Sequence, residues 1–186
     1  MKIKKIIDLC KASEFMVLYN TENEGQWISD GRSMYPLEGF PKVTPQTICD
    51  MYDIPQAKQS KMVIREEYTA PAWVDLADAS AEKEADPISI ALRINGSIHI
   101  PYIGEQGVSF VDIRHLVVFD DADQEYLKLY ERSMTNGNRY FAIKIGMILS
   151  GIVLPDQEIA NVDLCENLAL LTAACERTVE AREASK

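Results

Sequence analysis

The sequence predicts an α+β fold: an antiparallel sheet built from hairpins, covered by an N-terminal helix, two short middle helices and a long C-terminal helix. Three observations carry that expectation. Tyr140 to Pro155, YFAIKIGMILSGIVLP, is the most apolar run in the chain, and Gly146-Met147 at its centre suits a two-residue type II′ turn. Asn95-Gly96, between Ile88–Ile94 and Ser97–Ile103, is a strong hairpin signal, because both central residues of a type I′ turn need positive φ. Apolar residues also recur at helical spacing near both ends of the chain.

In chain order, Ile3, Ile6, Ile7 and Cys10 share a face opposite the lysines, which predicts an amphipathic helix over about 2–12. Phe15 to Tyr19 and Gln26 to Ser29 read as paired strands around the TENEG turn, in an antiparallel unit over about 14–37 that Asp30-Gly31 closes. Thr44 before Pro45 is a cap and first-turn signal for a helix over about 45–53, and Pro55 limits its extension. Lys61 to Tyr68 alternates enough to predict a strand.

After the Asn95-Gly96 hairpin, Gly104 to Gly107 turns the chain into a strand from Val108 to Val111, followed by a short helical stretch over Ile113 to Val118. Asp120, Asp121 and Asp123 sit where a helix N-terminus favours negative charge, and predict a helix over about 122–134. The central hairpin follows and ends at Pro155, which cannot donate to a ladder. Val162, Cys165, Leu168 or Ala169, Thr172, Cys175 and Val179 form the stripe of a long helix over about 161–183, expected to cover the sheet.

At 186 residues the chain suits one domain, 1–186, or two lobes, 1–70 and 87–186, joined by the acidic segment 71–86. Its 47% apolar and 26% charged composition is that of a globular protein, and the absence of a long apolar run predicts no membrane association. Asp8, Lys11 and Glu14 interrupt the apolar region that an export signal needs, so the expected location is the cytoplasm of a bacterial cell. Cys10, Cys49, Cys165 and Cys175 are far apart with no CxxC pattern and read as buried thiols. The net charge of −10 argues against direct nucleic-acid binding, which needs a basic surface, and favours a basic protein partner; association with further copies of the chain stays open.

No phosphate loop, nucleophile elbow or metal-protease motif is present, so neither a catalytic set nor a cofactor is expected. The candidate recognition residues are the acids Asp75, Asp78, Glu82, Glu84 and Asp86, with Asp120, Asp121 and Asp123 as a second cluster; spaced negative charge can meet a basic groove as phosphates would. His99 and His115 have no Cys or Ser pattern beside them and read as structural. SDGR at Ser29 to Arg32 reads first as a tight turn, with a site that uses Asp30 and Arg32 as the alternative. A hydrolase using Asp30, Asp112 or His115 requires those residues to converge in a pocket.

Two segments carry a resemblance. WISDGRSMYPLEGFP with the following ICDMYDIP, and YFAIKIGMILSGIVLP, look like segments of uncharacterised proteins carried by phages and prophages of Firmicutes. That likeness covers much of the chain and implies a mobile-element accessory protein with nothing catalytic. A fainter resemblance, to a single DNA sliding-clamp domain, rests on a strand ending in Asp-Gly and a late strand ending in Leu-Pro. Together with the charge, the first resemblance implies a non-enzymatic inhibitor that binds a host nucleic-acid enzyme, for example a CRISPR nuclease, through an acidic face. The second implies a clamp-like replication module lined by Lys2, Lys4, Lys5 and Lys11.

Overall fold

The computed structural model describes residues 1–77, 82–134, 136–157, 159 and 162–184. The chain opens with helix α1 (Ile3–Ser13), whose Ile6, Ile7, Leu9 and Cys10 are buried at the predicted spacing. Burying each of the two isoleucines and the leucine stabilises by about 1.5–3 kcal/mol. Strands β1 (Phe15–Asn20), β2 (Gln26–Ser29) and β3 (Ser33–Pro36) form the expected antiparallel unit. Helix α2 (Pro45–Met51) starts at the predicted cap, where Thr44 Oγ1 accepts the Thr47 N–H at 3.1 Å. A single-turn helix α3 (Gln56–Gln59) leads to β4 (Val63–Glu67).

β4 pairs with β1 in parallel, the one departure from the antiparallel sheet expected. A parallel partner needs a long crossover rather than a tight turn, and α2 and α3 supply it. Beyond the acidic segment come β5 (Lys83–Pro87), β6 (Leu92–Ile94), β7 (Ser97–Gly104) and β8 (Gly107–Asp112), then a 3-10 turn at Ile113–His115. Asn95 and Gly96 take φ of 51° and 85°, as a type I′ turn requires.

The helix expected over 122–134 is corrected. Only one turn forms, α4 (Asp121–Gln124), where the Asp120 N–H donates to the Asp123 carboxylate at 3.1 Å. Leu127–Ser133 is instead strand β9, registered along the whole of β10 (Arg139–Ile145). Local helix preference yields because β10 and β11 (Ile148–Val153) are buried along most of their length and β10 needs a ladder partner on its second edge. β11 carries an irregularity opposite Ile143 and Lys144, where register passes from Gly151 to Leu149; a bulge of this kind re-aims side chains.

The strands form one continuous sheet in the order β4-β1-β2-β3-β11-β10-β9-β5-β7-β6, with β8 also on β7. On one face α1, α2 and the stretch through Phe119 cover a core of Ile6, Leu18, Tyr35, Phe119, Phe141 and Val153. On the other, Trp27, Met34, Tyr140 and Ile152 pack under Ala70, Val74 and Leu76 of the segment before β5.

The C-terminal helix α5 (Val162–Ala184) has nearly the predicted bounds, but it does not lie along the sheet. From Glu166 to Glu183 it is exposed apart from half-buried Leu168. Both sheet faces are already covered, and Leu170, Leu171 and Val179 of α5 remain exposed. Cys10 and Cys49 are buried as expected, whereas Cys175 is exposed on α5.

Candidate functional site

Asp30, Asp112 and His115, separated in sequence by up to 85 positions, come together where β2–β3 meets the end of β8. The β2–β3 turn is built by Asp30 itself. Its Oδ1 accepts the backbone N–H groups of Arg32 at 3.0 Å and Ser33 at 2.7 Å, and the Ser33 hydroxyl at 2.8 Å. Gly31 completes the turn with φ of +88°, under Phe15. Asp30 and Ser33 are both buried.

His115 lies against this turn, with Nδ1 3.1 Å from Ser33 Oγ and 3.7 Å from Asp30 Oδ2. The hydroxyl has one proton, and it goes to Asp30. Nδ1 must therefore be the donor to Ser33 Oγ, which leaves the lone pair of a neutral imidazole on Nε2. Burial holds the ring's pKa below its usual value, against the opposing pull of Asp30 and Asp112. The Tyr35 hydroxyl donates to the His115 carbonyl at 2.8 Å and fixes the backbone beneath the ring.

Asp112 caps the 3-10 turn by accepting the Arg114 N–H at 2.9 Å, and its Oδ2 accepts Arg114 Nε at 2.9 Å and Nη2 at 2.6 Å. Burial opposes its ionisation, but the hydrogen bonds from Arg114 outweigh that and hold the carboxyl below its usual pKa. His99, directly across the ladder from Asp112, places Nε2 3.5 Å from Asp156 Oδ2. Asp156 is held by its own N–H donating to the Phe110 carbonyl at 2.8 Å, and accepts Arg32 Nη1 at 3.1 Å. His99 Nδ1 and Asp156 Oδ1 are buried without hydrogen-bond partners.

These groups line a cleft of about 450 Å³ together with Asn95, Ser97, Ile94, Ile159 and Leu164 of α5. Arg32 and Arg114 are more than half exposed, while the side chains of Asp112 and Asp156 are 8% and 17% exposed. An entering molecule thus meets guanidinium donors whose orientation the carboxylates fix, with the two imidazoles deeper in. Asp30 stands behind His115 rather than on the lining.

The acids expected to face a partner are placed differently. Glu82 is turned inward: its carboxylate binds Arg132 Nε at 2.7 Å and Lys144 Nζ at 2.5 Å. Arg132, 2% exposed, also donates to the carbonyls of Asp75 and Ala77 and so ties the segment before β5 to β9. Asp75 Oδ1 accepts the Ala77 N–H, Glu84 pairs with Lys128, and Asp86 is exposed. Asp120 and Asp123 bind the N-terminal ammonium, and Asp121 is exposed. Asp78 lies outside the described residues. Of the lysines proposed to line a clamp, Lys2 pairs with Asp120, Lys5 donates to the Val117 carbonyl, Lys11 donates to the Tyr52 carbonyl, and Lys4 is exposed.

Sequence reasoning named Asp30, Arg32, Asp112 and His115 only as conditional candidates and missed Ser33, Asp156 and the pairing of His99. The one available signal was that both histidines lie within four residues of Asp112 or directly across a hairpin from it. Among the described residues, no group of three or more His, Cys, Asp or Glu side chains is arranged to hold a metal ion. No described helix is long and apolar enough to cross a membrane. Comparison with family models, curated proteins and solved structures finds no match, and so no enzyme-family relative.

Proposed function

We propose that the chain binds a small, acceptor-rich molecule such as a carboxylate-bearing ester in the His115 cleft, and that His115 acts there as a general base on water. The observation that carries this reading is the order Asp30, Ser33, His115: a buried carboxylate orders a hydroxyl, which orders Nδ1 and leaves Nε2 basic. In the proposed step Nε2 takes a proton from water as the oxygen attacks the acyl carbon. The same proton is returned to the leaving alcohol, so one ester and one water become one acid and one alcohol. Arg32 and Arg114 hold the acceptor group, their remaining N–H donors being directed by Asp156 and Asp112.

The experiment is turnover of chromogenic esters whose acyl part carries a carboxylate, measured against pH. The reading expects a rate that rises through a single pKa below 6.5. It also expects H115Q to lower kcat on the order of 100-fold or more, the usual contribution of a general base. Turnover equal in wild type and H115Q, or none above buffer, contradicts it.

A second reading, a non-enzymatic phage-type inhibitor acting on a basic protein partner, is favoured by the net charge of −10 and by the exposure of Glu84, Asp86 and Asp121. It expects charge reversal at those three positions to abolish salt-sensitive capture of a nucleic-acid enzyme, while H115Q leaves the capture intact.

A further inference from the structure

A second cleft, of about 680 Å³, lies between β5, β9 and the β7–β8 turn, and Glu131 of β9 stands in its wall. The Glu131 side chain is 5% exposed, and neither carboxylate oxygen has a hydrogen-bond partner. The other charges there are already engaged. Glu82 serves Arg132 and Lys144, and Glu105 pairs with Lys83 at 3.2 Å. Arg139 comes closest, with Nη1 3.8 Å from Oε1, but that guanidinium is spent on the carbonyls of Gly107 and Val108.

A buried carboxylate without hydrogen bonds is costly and is strongly stabilised by a cation that satisfies it. Two oxygens without hydrogen bonds on one planar group match the two parallel N–H bonds of a guanidinium, whereas an ammonium meets them only as a point charge. The backbone makes room for this carboxylate, since a Cβ at Gly104 would overlap Glu131 Oε2. We propose that Glu131 is the floor of a guanidinium-binding site, taking either a free guanidinium compound or an arginine side chain of a polypeptide. The site is separate from the His115 cleft and does not depend on the activity proposed for it.

The test is titration of the full chain with methylguanidinium, following the backbone amide signals of Gly104, Gln106 and Glu131 by NMR. The expected result is saturable shifts at those amides, with methylammonium at least tenfold weaker. E131Q removes the charge and G104A displaces the carboxylate; both are expected to weaken methylguanidinium binding at least tenfold. G104A keeps the test decisive if E131Q does not fold, because Gly104 does not have a positive φ. A Gly-Arg-Gly peptide binding tenfold tighter than methylguanidinium identifies a polypeptide arginine as the ligand, and an equal or weaker peptide identifies a free small cation. The proposal is overturned if no shift saturates, if both variants bind like wild type, or if only R139Q binds, since Arg139 would then fill the site itself.

Discussion

His115 Nδ1 lies 3.1 Å from Ser33 Oγ, across 82 positions of sequence, and this contact fixes which ring nitrogen of His115 is basic. Ser33 is placed by the Asp30 turn and His115 by the cap at Asp112, so two short local motifs, held against each other by the surrounding core, define the geometry. Removing the hydroxyl should release the ring. In S33A we expect His115 to populate both neutral tautomers, seen as averaged ring-nitrogen shifts, with folding destabilised by about 1–3 kcal/mol for a lost buried hydrogen bond.

The lowered pKa of His115 makes stability depend on pH in a defined direction. The unfolded chain takes up a proton near the usual value of 6.5, while the folded chain resists it. The contribution is therefore complete above that value and is lost as pH falls from about 6.5 towards the folded pKa. Urea unfolding of wild type and H115Q between pH 7.5 and 5 should show a steeper loss for wild type; parallel curves would contradict the assignment.

Arg132, Glu82 and Lys144 form a buried charge group on the opposite face. Truncating Arg132 takes from Glu82 one of its two cations, and truncating Glu82 takes from Arg132 its carboxylate; breaking a buried pair in this way costs about 3–5 kcal/mol. R132A and E82A should each lower stability by that amount, and the double variant should be far from additive. High salt should change little, because a buried pair is poorly screened.

Helix α5 is exposed from Glu166 onward apart from half-buried Leu168, so it adds little to the core. A chain ending after Leu168 should unfold within about 0.5 kcal/mol of the full chain, the range of surface changes, while losing helical circular dichroism. A loss above 2 kcal/mol would mean the helix packs where its exposure denies it.

The cysteines give a kinetic check. Burial, with Asp30 adding to it, pushes the Cys10 thiol well above its usual pKa, whereas Cys175 is exposed. In a C165S background, Cys175 should react with a thiol reagent at once and Cys10 only as fast as the fold opens. Prompt reaction of Cys10 in the native protein would show that α1 is not seated as described.

What was legible in the sequence is what local chemistry decides. Asn95-Gly96 needs positive φ whatever surrounds it, Thr44-Pro45 caps a helix through its own hydroxyl, and the stripe of α1 is a face repeated every turn. What was not legible is what neighbours decide. Leu127 to Ser133 has acceptable helix formers, and only the demand of β10 for a partner makes it a strand. The parallel pairing of β4 with β1 leaves no trace in either strand. Glu82 resembles any solvated acid until Arg132 and Lys144, 50 and 62 positions away, close on it.

The same holds for the cleft. His99 in an alternating strand has one pattern whether it faces water or a cavity, and Asp156 after Leu154-Pro155 reads as a loop residue. The sheet order sets the end of β11 beside β3, but β8 reaches the same place only through contacts across the fold, the Asp156 N–H on the Phe110 carbonyl and the Tyr35 hydroxyl on the His115 carbonyl, and no spacing within the chain encodes these.

The most direct measurement is the tautomer of His115, read from long-range proton–nitrogen correlations of the imidazole ring at pH 7. With only two histidines in the chain, H99Q leaves a single ring to assign. The account predicts a neutral ring with its proton on Nδ1 and an unprotonated Nε2, unchanged down to below pH 6.5. A proton on Nε2, or a fully protonated ring at pH 7, would contradict it and remove the basis for general-base chemistry in the cleft.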